Sequence, residues 1–183
     1  MSLKKLIQKI VYRLRGELTL DTLVSMGLTV GNNVSIQQGV NLDPSHCWLI
    51  TIGDDVTLAP RVQLLAHDAS TCKHIGYAKI GKVVIGNRVF VGAGTVILPD
   101  VRIGNDVIIG AGSVVTHSLE GNAVYAGNPA KKVCSLDEYV EKHRNKMKSR
   151  PVYGEEFTLR QNISKELKAQ QRIELDDGIG YVE

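Results

Sequence analysis

The sequence predicts a mainly β protein: a parallel β-helix with a helical segment at each end. Three observations carry this. From Ile85 the chain divides into sixes (IGNRVF, VGAGTV, ILPDVR, IGNDVI, IGAGSV, VTHSLE), and their first positions are Ile85, Val91, Ile97, Ile103, Ile109 and Val115, all β-branched. The second position is usually glycine, at Gly86, Gly92, Gly104 and Gly110. Aromatic residues are only 5% of the chain while 18 residues are glycine, which favours a core of branched aliphatics and tight corners. A helix needs apolar spacings of three and four, which a period of six does not supply. A fixed hexapeptide repeat is the sequence sign of a parallel β-helix.

Residues 1–29 form the first segment. Leu3, Leu6, Ile7, Ile10, Val11 and Leu14 fall at helical spacing, with Lys4, Lys5, Lys9, Arg13 and Arg15 between them. This reads as a basic amphipathic helix. Its favoured role is a cap over the first coil, because repeat proteins need capped ends. Weak contact with an anionic membrane surface is the other use such a helix has.

Residues 30–133 form the β-helix. The beat starts at VGNNVS, IQQGVN, LDPSHC, pauses for the four residues Trp48 to Thr51, and resumes at IGDDVT, LAPRVQ, LLAHDA. Three sixes close a triangular coil of 18 residues, so residues 18 apart stack at strand spacing, roughly 4.8 Å. The count is about four full coils, with a partial one near Lys79–Val84. A β-sandwich of short strands does not hold a six-residue phase over 36 residues. Between the second coil and Ile85 the beat fails, at "STCKHIGYA", which predicts a loop insertion at about residues 70–78.

Residues 134–183 form a C-terminal helical extension. Ser135 and Glu138 read as a capping box opening a helix through about Met147, which Arg150-Pro151 ends. A second polar helix is expected at about Ser164–Leu175, then "DDGIGYVE". With few large apolar residues, this tail is expected to pack on a neighbour rather than stand alone.

Bulk properties exclude several classes. A net charge of +3 is too small for a nucleic-acid footprint. No apolar run reaches the length of a membrane span, and no secretory signal is evident. Cys47, Cys72 and Cys134 are an odd set without CxxC spacing, so reduced thiols in the cytoplasm are expected. "GAGTVI" and "GAGSVV" lack the third glycine of a dinucleotide fingerprint.

The run "GKVVIGNRVFVGAGTVILPDVRIGNDVIIGAGSVVTHSLEGNAVYAGNPAKKV" resembles, unit by unit, the C-terminal coils of the hexapeptide-repeat acyltransferases, including the closing "AGNPAK". The resemblance covers about residues 30–133. Within the family the sequence is most similar to sugar O-acetyltransferases of the maltose/galactoside and surface-polysaccharide type. It implies a left-handed coil, a homotrimer with sites between subunits, acetyl-CoA as donor substrate, no metal, and a sugar or glycan-precursor acceptor.

Transfer from a thioester to a hydroxyl needs a base for the hydroxyl proton, and an imidazole suits that task. The resemblance places this role on His67, where the beat breaks; a structural histidine satisfied by loop backbone is the alternative. Asp68 orients the imidazole, binds the acceptor or caps the loop turn. Asp43 and His46, in "LDPSHC", sit one coil earlier and are candidate acceptor-binding residues, although Asp43-Pro44 is equally a turn signal. Ala93 and Ala111 are one coil apart and stack, and with Gly92 they open a groove for a pantetheine arm. The resemblance further implies that Phe90 forms a wall beside that arm and that Thr116 and His117 lie near the adenine or phosphates. His117 stands where relatives often carry lysine. Pro129, Lys131 and Lys132 are matched to the adenine and 3′-phosphate, or form a solvated corner.

Two other readings compete. A zinc-dependent, γ-type carbonic-anhydrase-like protein would use His46, His67 and His74, although the spacing of seven between the last two fits poorly. A non-catalytic β-helix scaffold is the other.

Overall fold

A computed structural model describes residues 18–183. The basic helix expected at Leu3–Leu14 lies outside them. The chain divides into two compact units, one ending at Leu136 and the other running Asp137–Glu183.

The first unit is a stack of triangular coils built from short parallel strands on three faces. The first face stacks Thr29–Val30, Ile50–Ile52, Val83–Ile85 and Val101–Ile103. The second stacks Ser35–Ile36, Thr57–Leu58, Phe90–Val91, Val107–Ile109 and Ala123–Ala126, and Lys131–Ser135 returns antiparallel to close it. The third stacks Gln63–Leu64, Val96–Ile97 and Val114–Val115, with Asn41 bridged to Gln63.

Register confirms the beat and locates its interruptions. Ile85 pairs with Ile103, a step of 18. Val30 pairs with Ile52, a step of 22, because Trp48–Thr51 are added. Ile52 pairs with Ile85, a step of 33, because the chain leaves the coil after the third face. The partial coil expected at Lys79–Val84 is replaced by something else. Lys79–Ile80 pairs antiparallel with His67–Asp68 as the return arm of a hairpin, and the coil resumes at Val83.

The first position of each six lines the core: Ile85, Val91, Ile97, Ile103, Ile109 and Val115 are all buried. So is the fifth, at Val89, Thr95, Val101, Val107, Ser113 and Leu119. The two hydroxyls among them are satisfied, since both Thr95 Oγ1 and Ser113 Oγ donate to the Gly110 carbonyl. A side-chain ladder ties one corner from coil to coil. Asp54 Oδ1 accepts from Asn32 N (2.6 Å), Asn87 Oδ1 from Asp54 N (2.9 Å), and Asn105 Oδ1 from Asn87 N (2.8 Å). At the N-terminal end, the short helix Leu20–Ser25 is capped by Thr19 and sends Leu23 into the core.

The second unit carries most of the helix Leu136–Met147, and the helix Lys165–Glu174, whose cap Ser164 accepts from Leu167 N at 3.2 Å. Val152–Tyr153 and Tyr181–Val182 form a parallel pair. Arg150 ties the unit's end together by donating to Ile179 O and Asp177 Oδ1. The unit has a small core of its own, with Tyr153 and Ile163 buried, while Leu159 and Ile173 are largely exposed.

Candidate active site

The chemistry gathers at the corner that follows the third face. Asp43 opens a turn there: its carbonyl accepts from His46 N at 3.0 Å, and its φ of 34° is a left-handed value that aspartate tolerates better than most residues. The carboxylate points up the stack. Its Oδ2 accepts from Ala66 N (2.7 Å) and His67 N (2.9 Å) and lies 2.6 Å from His67 Nδ1. Asp43 is 1% exposed, and a buried carboxylate is tolerated only with such partners. Through Oδ2 it pairs with His67, and through its backbone it makes the turn.

This pairing fixes the imidazole. A neutral ring held with Nδ1 against a carboxylate donates from Nδ1 and leaves its lone pair on Nε2. The His67 side chain is 34% exposed, so the ring is reachable from solvent. His46 packs against it, with ring centroids 5.1 Å apart, and against Trp48 on the other side, also at 5.1 Å. Trp48 is half exposed and was not singled out from sequence; its only signal was its place in the off-beat insertion.

Asp68 serves the excursion. Its carboxylate lies 2.6 Å from Lys79 Nζ and accepts from Ser70 N at 2.8 Å, capping the short turn Ala69–Thr71. The Lys79 hydrogen bond, with the Ser70 amide second, pulls its pKa down to about 2. Of the roles open to Asp68, the structure shows the loop cap, and His67 Nδ1 faces Asp43 rather than Asp68. The short helix Cys72–Ile75 follows and ends at Gly76, whose φ of 79° is left-handed. His74 is exposed on this helix and does not join His46 and His67.

The residues matched to the donor occupy other parts of the prism. Gly112 N donates to Ala93 O at 2.8 Å, and Val96 and Val114 are register partners, so Ala93 and Ala111 form one exposed column. That column lies at the corner between the second and third faces. Phe90 is 44% exposed on the second face, in register with Ile108. Lys131 and Lys132 are exposed on the closing strand, opposite Ala126 and Tyr125, and Pro129 is exposed just before it. Gly92 is buried against the next coil. Thr116 and His117 share the His67 corner but lie two coils further on, their side chains 3.1 Å apart. Within one chain, then, His67 and the Ala93–Ala111 column stand at different corners.

Short parallel strands on three faces, a six-residue beat, and an acid–imidazole pair at one corner define a class: the hexapeptide-repeat β-helix proteins. Residues 82–117 match the bacterial transferase hexapeptide (six repeats) family. Over 147 residues the chain is 39% identical to "Protein CapG" of Staphylococcus aureus, covering 76% of this chain and 83% of that protein. The chain belongs to the hexapeptide-repeat transferase family, whose membership implies a left-handed coil. Among solved structures it is similar to a maltose O-acetyltransferase from Clostridium difficile 630, at 35% identity and a TM-score of 0.53, covering 60% of this chain and 59% of that one. It is also similar to a hexapeptide-repeat acetyltransferase from Vibrio cholerae complexed with acetyl coenzyme A, at 28% identity and a TM-score of 0.53, covering 60% and 61%. The chain thus spans less than two thirds of either solved relative.

Proposed function

We propose that this protein is an acetyl-CoA-dependent O-acetyltransferase acting on a sugar hydroxyl. The observation that carries the reading is the Asp43–His67 pair, with Nδ1 2.6 Å from Oδ2 and the His67 side chain 34% exposed, so that among the described residues its other ring nitrogen is open to an acceptor. Likeness to a maltose O-acetyltransferase and to an acetyl-CoA-complexed relative supports the donor and the acceptor class. The cytoplasm, with its acetyl-CoA supply and reduced thiols, is the expected compartment.

In this mechanism His67 Nε2 accepts the proton of the sugar hydroxyl as the oxygen attacks the thioester carbonyl. Asp43 holds the ring and balances the imidazolium that forms. Main-chain amides at the groove receive the oxyanion. The tetrahedral species collapses by expelling the CoA thiolate, and His67 returns its proton to the sulfur. No enzyme nucleophile is needed, because the thioester is already activated.

The donor column and the base stand at different corners of one prism, so a second copy must complete each site. A homotrimer, with each groove between two subunits, meets that requirement.

The test combines binding and turnover. Saturating acetyl-CoA, at about a hundred times its dissociation constant, should stabilise the fold by about 2.7 kcal/mol in a thermal shift. Thiol release should then depend on a sugar acceptor. His67→Ala should lower kcat by at least roughly a hundredfold while the CoA-induced shift persists. Near-normal turnover in that variant would remove His67 from the mechanism, and no thermal shift at millimolar acetyl-CoA would sink the donor assignment.

A further inference from the structure

The corner holds more ligand capacity than acyl transfer uses. Among the described residues, Asp43, His46 and His67 each offer a donor atom within 4.8 Å of the other two. Two residues of this group carry orphaned atoms: Asp43 Oδ1 and His46 Nδ1 are buried and have no hydrogen-bond partner among the described residues. Buried polar atoms are nearly always satisfied, so two orphans on residues of one such group point to something that binds them. Asp43, moreover, is 1% exposed and fixed by two backbone amides.

The donor set names the ligand. One carboxylate oxygen and two imidazole nitrogens suit zinc, which takes such donors at about 2.0–2.2 Å and leaves a fourth position to solvent when three protein ligands bind. Donors around a tetrahedral ion at those bond lengths stand about 3.4 Å apart, so separations of at most 4.8 Å close by side-chain adjustment of up to about 1.4 Å. We propose that Asp43, His46 and His67 form a zinc site whose occupation switches acetyl transfer off.

The switch follows from the ring's two nitrogens. Without metal, the Nδ1 proton sits between His67 and Asp43. Coordination at Nδ1 displaces that proton, and the neutral ring then carries its proton on Nε2. Nothing is oxidised, and no bond to carbon changes. A protonated Nε2 has no lone pair for the acceptor hydroxyl. Coordination through Nε2 instead consumes the same lone pair directly. The binding half of this inference stands on geometry alone; the inhibition half rests on His67 being the base.

The experiment keeps those halves apart. The full-length chain, stripped with chelator, is titrated with Zn²⁺ by calorimetry, and with Co²⁺ as a visible-absorbing probe. One ion per chain is expected at micromolar concentration. His46→Gln, checked for folding by thermal melting, should weaken binding at least roughly tenfold, whereas His74→Gln and His117→Gln should not. Absence of binding below millimolar metal, or binding that survives His46→Gln, overturns the site. In the second arm, Zn²⁺ is added to the acetyl-transfer assay. Activity lost in step with occupation and restored by chelator supports the switch. Full activity at full occupation overturns the switch and the base role of His67, while the site itself stands.

Discussion

The interaction that defines the corner is between two residues 24 apart in sequence, Asp43 and His67. The break in the beat made His67 legible, because a histidine and an aspartate stood where small or branched residues belong. Its partner was not. Asp43 belongs to the previous coil, where Asn41 bridges to Gln63, and the four off-beat residues Trp48–Thr51 put the stacked positions out of step in sequence. Local turn chemistry, Asp before Pro, gave a sufficient account of Asp43 and hid its second role. Replacement by asparagine keeps the volume and tests that role. In the asparagine variant the Ala66 and His67 N–H groups keep the amide oxygen at the Oδ2 position, so the ring stays in place but loses the negative charge that balances the imidazolium. Asp43→Asn should therefore lower kcat by roughly a hundredfold or more, with KM for acetyl-CoA little changed. Equal kcat in the two proteins would mean that the imidazolium is balanced by something other than this carboxylate.

Among the elements, the coils and the excursion differ in how far sequence specifies them. A coil strand is written by its inward residues, and each six repeats the message. Glycine at the second position looked like a turn residue, but the structure assigns it another task. A Cβ on Gly86 would stand 2.8 Å from Gly104 C and 2.9 Å from Asn105 N, in the backbone of the next coil. Gly94, by contrast, has a φ of +68° and open space around it. Gly86→Ala should cost about 1–3 kcal/mol through overpacking, and Gly94→Ala on the order of 1 kcal/mol through backbone strain. Urea midpoints compare the two directly, and a larger loss at Gly94 would reverse the assignment. The excursion carries no repeat, so its hairpin, anchored by Asp68 and Lys79, could not be read from spacing. That anchor has a pH signature. The Asp68 carboxyl is held at about 2, below its ordinary 3.8, so the folded state favours its charged form. The contribution is complete above about pH 4 and is lost as the pH falls toward 2. Protection factors across residues 69–78, corrected for the intrinsic pH dependence of amide exchange, should fall selectively in that window, and Asp68→Asn should show the lower protection already at neutral pH. Protection that is flat with pH and unchanged in the variant would show that the ion pair does not hold the loop.

For the whole molecule, the faces and corners decide what one chain can and cannot do. The beat reports which residues point inward and which stack, and from that the prism follows. It does not report which corner of a second prism approaches the first, since outward residues carry no period of their own. The proposed trimer nevertheless makes a sharp demand, because base and donor groove stand at different corners and must come from different chains. His67→Ala subunits retain the Ala93–Ala111 column, and Ala111→Phe subunits retain the base while filling the groove. Ala111 is exposed, so the larger side chain is accommodated without disturbing the core. Each homogeneous variant should be nearly inactive. Unfolding and refolding the two together in equal amounts allows mixed trimers to form. In these, roughly a quarter of the sites pair an intact base from one subunit with an intact groove from the next. Activity should therefore return to about a quarter of the wild-type level, measured as thiol release per chain. If each chain held a complete site of its own, every site in the mixture would carry one lesion, and no activity would return however thoroughly the subunits exchanged.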